Sequence, residues 1–402
     1  MSGALGHLKV LDLGWVIAVP MATKVLAEHG AIVIRVESAT RPDLARSNLP
    51  NVGEPGINRC AFFAAYNNDK YGLTLNLGHP GAASVVERLV RWADVVVENF
   101  RAGTLERLGM SPEELQRINP GVTVIRSTLF GQHGPNRDVA GFGQTMQALT
   151  GLTGLVGWPD RPPSGSPVPY PDFLSPWWVI ALVMAGLAQR RSTGKGSYFD
   201  LSQVEASLNF LTPWLMEHSV TGSARGAGGN RDPHAAPHGV FPCVGDDKWC
   251  AVAVTDELEW GGLVNAMGRP GWALDLKFDH GAGRKAHESE LEILLSKWTS
   301  TFTPGELMNL LQEHGVPAGE VLDGEGLHRD PQLAHRKHFV SLEHAEMGLR
   351  TYDSPSFRLS RQPASLARAA HCLGEHNEEI CLGFLGMTED EFADLLIDGV
   401  LE

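Results

Sequence analysis

Apolar positions in the first half of the chain fall into short runs separated by stretches with helical spacing. Lys9–Leu13 (KVLDL), Ala31–Val36 (AIVIRV), Gly72–Leu77, Asp94–Val97 (DVVV) and Val122–Leu129 read as strands. Met21–Ala27 and Pro80–Trp92 read as helices; the second lines up Val85, Val86, Leu89 and Val90 on one face. Gly30 suits the left-handed residue that ends the first helix. Ser111-Pro112-Glu113-Glu114 predicts a reciprocal cap, with the Ser hydroxyl on a free amide and Glu114 reaching back. Such strand–helix alternation predicts a parallel sheet covered by helices, a Rossmann-like α/β layer.

The second half has a different rhythm. Thr221–Asn230 (TGSARGAGGN) predicts a flexible loop. Gly239–Cys243 and Trp249–Val254 flank Gly245-Asp246-Asp247 and predict a hairpin. Helices are expected over His287–Trp298 and Gly305–His314, the latter capped by Thr303, Pro304 and Glu306 and stopped by Gly315. These elements form an expected small α+β domain at 237–330, with a break at Asp330-Pro331. The tail, Asn377–Leu401, reads as a helical pair.

Composition narrows the partners. Of 402 residues, 33 are Lys or Arg and 47 are Asp or Glu, a net charge of −14. That balance repels a polyphosphate backbone and argues against nucleic acid, while local basic residues can still hold a small anion. Five scattered cysteines argue against a disulfide framework and fit a reducing compartment. The opening MSGALGHLKVLDLG has no secretion-signal pattern, so a cytoplasmic location is expected. The most apolar stretch, Trp177–Ala188, is about a dozen residues, short of the roughly 18 that span a bilayer, so no membrane is expected.

The motifs exclude several chemistries. The first strand–helix turn, Leu13–Pro20, carries one glycine, not the GxGxxG of a dinucleotide site. Neither a GxSxG elbow nor a GxxxxGK[ST] loop is present. His234 and His238 are flanked by Pro233 and Pro237, which disfavours a helical metal pair, and no metal is expected. Arg190, Arg191 and Lys195 read as a solvated helix end. Pro163–Asp172 is a stiff stretch ending in an acid just before a helix expected near Ser175-Pro176. The plain reading of Asp172 is a helix cap. The chemical one is an exposed carboxylate held ionised for nucleophilic attack.

Eight segments, in order, carry a resemblance: LDLGWVIAVPMATKVLAEHGAIVIRVE (11–37), NNDKYGLTLNL (67–77), ADVVVENFRAGTLERLG (93–109), FGQHGP (130–135), YPDFLS (170–175), RRSTGKGSYFDLSQVEASL (190–208), HGVPAGEVLD (314–323) and LGEHNEEI (373–380). Together they resemble the class III coenzyme A transferases, the family of formyl-CoA and carnitine CoA-transferases. The resemblance implies a Rossmann-like large domain, 1–205 completed by 373–402, and a small domain at 237–330. Linkers are implied at 206–236 and 331–372, with two chains interlocked as a homodimer. It implies that Asp172 is the nucleophile, passing through a mixed anhydride and an aspartyl-CoA thioester. It places Ile17, Ala18, Leu75, Asn99, Phe100 and Arg107 against coenzyme A. The basic positions of the formyl-CoA branch align with Ser38, Gly78 and Ala140, and Arg41, His79 or Arg137 stand close enough in sequence to replace them. Gly226–Gly229 leads into Asn230–His234 in place of a clean glycine run, so substrate shielding need not follow the oxalate branch.

Trp15, Phe142 and Tyr170, with Ile17, are expected around the thioester. None carries a charge, which implies an acid with an apolar or aromatic body. No tightly bound cofactor is implied, since the CoA thioester is the substrate. Acyl-CoA racemases share this fold, but their proton-moving His aligns with Phe142, whose ring cannot move a proton. The chain could also be one subunit of a hetero-oligomeric transferase, as in relatives that act on benzylsuccinate.

Overall fold

The structure, a computed structural model, describes residues 3–402. It divides into two compact units. One holds the chain up to Thr153, Gly165–Ala224 and Gln332–Glu402; the other holds Gly154–Ser164 and Arg225–Pro331.

In the first unit, β1 (Lys9–Leu13), β2 (Ile32–Glu37), β3 (Tyr71–Thr74), β4 (Val95–Glu98), β5 (Thr123–Thr128) and β6 (Tyr198–Ser202) form one sheet in the order β3-β2-β1-β4-β5-β6. Every pairing is parallel. Successive side chains alternate between two cores. Leu11, Leu13 and Val96 face the helix Ala82–Trp92, with Ile380 and Val400 from the chain's end. Val10, Val95 and Val97 face Val19 and Leu26 of α1 (Ala18–Glu28) and Val179 and Val183 further along. A sheet buried on both faces explains the near-continuous apolar runs.

Several boundaries differ from expectation. The strand expected at Gly72–Leu77 is shorter, and Leu75 beyond it is 1% exposed within the first core. Ser111 does cap Glu114's amide, but the Glu114 carboxylate turns to Arg117 (2.8 and 2.5 Å), so the reciprocal half of the cap is missing. Residues expected in the first linker are helical as far as Thr221, over Gln203–Leu208 and Thr212–Thr221. Within 331–372, Phe339–His344 and Gly348–Asp353 make an antiparallel hairpin. The tail pair consists of a wide-wound turn, Glu379–Phe384, and the helix Glu389–Ile397.

The largest difference is the helix expected near Ser175. It starts at Tyr170 and runs for 24 residues to Thr193. Pro171 suits the first turn, where an amide would be unpaired anyway. Pro176 then sits inside the helix, with no N–H to return to the Asp172 carbonyl, while the Ser175 hydroxyl bonds the Pro171 carbonyl at 2.7 Å. By length and composition alone this helix could cross a membrane. In the fold it packs on α1 and β5.

In the second unit, β7 (His238–Pro242), β8 (Trp249–Ala253) and β9 (Ala318–Glu320) form an antiparallel sheet. It packs with Glu257–Ala266, Glu288–Thr299 and Pro304–Glu313 around Phe241, Leu263, Leu291 and Leu307. The Thr303–Glu306 cap is fully reciprocal, as its sequence predicts.

Candidate active site

The strand order changes direction between β1 and β4. Ligands of such sheets bind outside the carboxyl ends of the strands at that point. A cavity of about 300 Å³ lies there. Its walls are the turn after β1 (Trp15–Ala18), the segment after β4 (Asn99–Ala102), the end of β5 (Ser127–Leu129), the loop 137–142, and Asp172.

The β1 turn is held from several sides. Asn99 clamps the backbone of Trp15: its Oδ1 accepts the Trp15 N–H at 2.7 Å and its Nδ2 donates to the Trp15 carbonyl at 3.0 Å. The Phe100 ring meets Trp15 edge-on, with centroids 6.1 Å apart. Val16 has φ 64°, a left-handed conformation that a β-branched residue rarely adopts. Its N–H donates to the Asp43 carboxylate, at 3.1 and 3.0 Å from the two oxygens.

Asp172 is the third residue of its helix and is half-buried. Its carboxylate accepts the N–H of Gly143, the first residue of the helix Gly143–Leu149. A Cβ on Gly143 would fall inside the contact radius of both Asp172 and Pro169, so glycine is what lets the acid approach this helix end. Burial pushes the Asp172 carboxyl up to about 7, with the Gly143 amide opposing. The sequence reading is of an exposed carboxylate held ionised; the group is half-buried, and the wall that positions it also removes water from it, which favours the protonated form.

The structure brings Trp15, Ile17, Ala18, Asn99, Phe100, Arg137, Phe142 and Asp172 to one cavity. Arg107 lines an adjacent cavity of about 420 Å³, which shares Ala102 and Arg137 with the first and also receives Arg126 and His133. Leu75 and Tyr170 line neither; Leu75 is core, and Tyr170 is 50% exposed at the helix start. Sequence reasoning did not single out Arg101, Ser127, Thr128 or Gln203, all of which line the first cavity. Gln203 donates from Nε2 to the Ser127 carbonyl and hydroxyl, each at 3.1 Å, and so fixes the floor. The usable signal was position: these residues lie at or just beyond the carboxyl ends of strands β4, β5 and β6. Among the described residues no group of three or more His, Cys, Asp or Glu is placed to hold a metal.

The cavity combines a carboxylate, a nearby helix amide and two arginines. That set can attack an activated acyl group and stabilise the oxyanion formed. Comparison with known proteins agrees in kind. The model of "CoA-transferase family III" matches residues 5–377. A succinyl-CoA–D-citramalate CoA-transferase of Chloroflexus aurantiacus is 33% identical over 97% of this chain and 96% of its own length. A succinate–glutarate CoA-transferase of Agrobacterium fabrum is 29% identical over 94% of each. Among solved structures, a CAIB/BAIF family protein from Brucella suis superposes with a TM-score of 0.88 at 28% identity, covering 96% of this chain and all of the other. With the family model spanning both units and these relatives matching nearly end to end, the chain belongs to CoA-transferase family III.

Proposed function

We propose that this chain moves coenzyme A from an acyl-CoA donor to a carboxylic acid through covalent intermediates on Asp172. The observation that carries this reading is the Asp172 carboxylate in the strand-end cavity, bonded to the Gly143 amide.

The carboxylate attacks the donor thioester and expels CoA thiolate, leaving a mixed anhydride. The thiolate attacks the aspartyl carbonyl, releases the donor acid and leaves an aspartyl-CoA thioester. The acceptor carboxylate then attacks that thioester, giving a second anhydride and thiolate. Attack of the thiolate on the acceptor carbonyl yields the new acyl-CoA and restores Asp172. No general base is needed, and each intermediate keeps the acyl group activated. The Gly143 amide can follow the oxygen as charge develops on it. Arg107 and Arg137 line the neighbouring cavity and suit the phosphates of CoA.

The first cavity's apolar wall, with Ile17, Leu129, Phe142 and Met146, favours an acceptor with a carbon body over oxalate. Faster turnover with oxalate than with any larger acid would overturn this acceptor reading. A racemase reading finds no support at Phe142, which stands just before the Gly143–Leu149 helix and is 63% exposed. Deuterium uptake at the α-carbon of an acyl-CoA would restore it.

For assembly we favour a homodimer with interlocked chains. The helix Tyr170–Thr193 exposes Trp177 and Trp178 at 43% and 37%, and Thr212–Thr221 buries no residue. Apolar faces of this kind ask for a covering chain. A stable folded monomer in ultracentrifugation would refute it.

The decisive test uses the purified single chain with an acyl-CoA donor and no acceptor. Hydroxylamine should convert Asp172 to a hydroxamate and borohydride should reduce it, both read by mass spectrometry. No label on Asp172 with any donor that supports exchange removes the assignment. No exchange unless a second gene product is added would point to the hetero-oligomeric alternative.

A further inference from the structure

A buried carboxylate outside the cavity joins two segments of its wall. Asp43 is 1% exposed. It accepts the Val16 N–H and, at 2.8 Å, the Ala45 N–H, and it is ion-paired with Arg35. Val16 and Leu44 both line the cavity, so one side chain fastens the β1 turn to the segment that follows β2.

The network behind it is continuous. Arg35, wholly buried, also stands 3.5 Å from Asp12. Asp12 accepts the Gly14 N–H at 2.8 Å, the Thr23 hydroxyl at 2.6 Å and Lys70 at 3.0 Å. Lys70 completes its set with the Pro20 carbonyl and Asn67. These contacts come from β1, β2, α1 and the approach to β3, and they converge on one turn. That turn holds a β-branched residue at φ 64°, a conformation the local sequence does not favour.

We infer that Asp43 is a positioning residue for the reaction: it holds Val16 in its left-handed conformation and so sets the wall that Trp15, Ile17 and Ala18 present to the reacting acyl group. It touches no reacting atom. This inference rests on the transferase reading for its kinetic part only; the shape of the turn can be measured without any substrate.

The test is Asp43→Ala, which removes both acceptor oxygens from the Val16 and Ala45 amides. Amide exchange over residues 13–18, measured by mass spectrometry on the full chain, should rise by about tenfold or more. In CoA exchange assays kcat should fall by about tenfold or more while the donor KM changes by less than about threefold, because the wall is displaced and the phosphate contacts are not. Adding Val16→Gly to this variant should restore kcat by about threefold or more, since glycine takes φ 64° without being held there. A purely structural role would lower the melting midpoint without such rescue.

Smaller changes in exchange or kcat, a KM that rises in step with the loss of kcat, or no rescue by glycine would each overturn the inference. Asp43→Ala takes the nearest counter-charge from buried Arg35, leaving Asp12 at 3.5 Å, and can fail to fold. In that case Arg35→Gln/Asp43→Ala, which removes both members of the pair, carries the same measurements and thresholds. If the wild-type chain shows no CoA exchange, the transferase reading fails, and the exchange rate over 13–18 decides alone whether Asp43 holds the turn.

Discussion

The cavity has two unlike walls. The β1 turn is backed by Asp12, Arg35, Asp43 and Lys70, each at 1% exposure or less and each facing an opposite charge. The opposite wall is open: Val139 and Phe142 are 40% and 63% exposed. It is tied by neutral hydrogen bonds, such as Gln147 Nε2 to the Val168 carbonyl at 2.7 Å and the Ser166 N–H to Gln147 Oε1 at 3.1 Å. Asp172 belongs to this second wall. A buried ion network contributes little net stability, because desolvation offsets attraction. We read its value here as geometric: one wall is a fixed template, and the wall that carries Asp172, the proposed nucleophile, is the open one.

The strongest challenge to that contrast is Asp172→Asn. It keeps the size of the side chain and an acceptor for the Gly143 amide, and removes only nucleophilicity. Turnover should fall by about a thousandfold or more, while binding of CoA, measured by calorimetry, changes little. If Asp172 were only a cap, the substitution would be nearly silent. Deamidation back to Asp must be excluded by mass spectrometry, and near-normal turnover in a verified Asn variant would end the nucleophile assignment.

Gly143→Ala is next in size. The added methyl collides with Pro169 and with the carboxylate of Asp172, so the acid must move off the helix end. A displacement of about 1 Å at a reacting group can reduce turnover by about a hundredfold. The Pro169 ring has no flexible end to swing away, so the melting midpoint should fall as well. A fully active Gly143→Ala chain would mean that the amide contact plays no part in the chemistry.

The two walls also differed in how far the sequence revealed them. Strands β1, β2, β4 and β5 were legible because each is an apolar run buried on both faces, and the Thr303 cap because all its partners lie within four residues. Asp172 was found as a chemical candidate, yet its helix start was misjudged by five residues. Pro176 looked like a first-turn proline, and nothing local shows that Pro171 holds that role instead. The Glu114 cap failed in part because Arg117, one turn on, competes for the same carboxylate. The lining of the fixed wall was foreseen in Trp15, Ile17 and Ala18, but the network that braces it was illegible. Val16 to Asp43 spans 27 positions and Asp12 to Lys70 spans 58, distances at which no periodicity links donor to acceptor. Asn99, which the resemblance implies as a CoA contact, lines the cavity, and its bracing of Trp15 through both amide atoms had no signal in the sequence. Leu75 was assigned to the ligand by the family resemblance alone; it lies in the core, and an apolar residue after a strand looks the same in sequence in either place.

Acidity probes the wall of the proposed nucleophile. A carboxyl raised to about 7 is mostly protonated below that pH and cannot attack. The profile of kcat/KM should therefore rise with pH, about tenfold per unit below 7, and level off above it. Stability should move in the opposite sense. The folded state holds this proton more tightly than the unfolded chain, whose Asp titrates near 3.8, so this group's contribution declines as pH rises from about 4 through about 7. Asp172→Asn should flatten that decline in a denaturant series. An activity limb near pH 4 would mean that the carboxylate is better hydrated, and its wall more open, than the geometry describes.

Arg137→Ala should have the smallest of these effects and separates binding from chemistry. Arg137 lines both cavities and is half exposed, paired with Asp138 at 3.5 Å. It lies at the start of the open wall, where a phosphate of the donor can displace the weak pair with Asp138. A charge-assisted hydrogen bond contributes about 1.5–3 kcal/mol, less when solvent screens it, so the donor KM should rise by roughly tenfold. Turnover at saturating donor should stay within about threefold, because the contact is made equally in the ground state and in the transition state. Added salt should shrink the difference between wild type and variant, as expected for an exposed charge. A fall in kcat with KM unchanged would place Arg137 beside the reacting atoms, and the open wall would then contribute to chemistry as well as to binding.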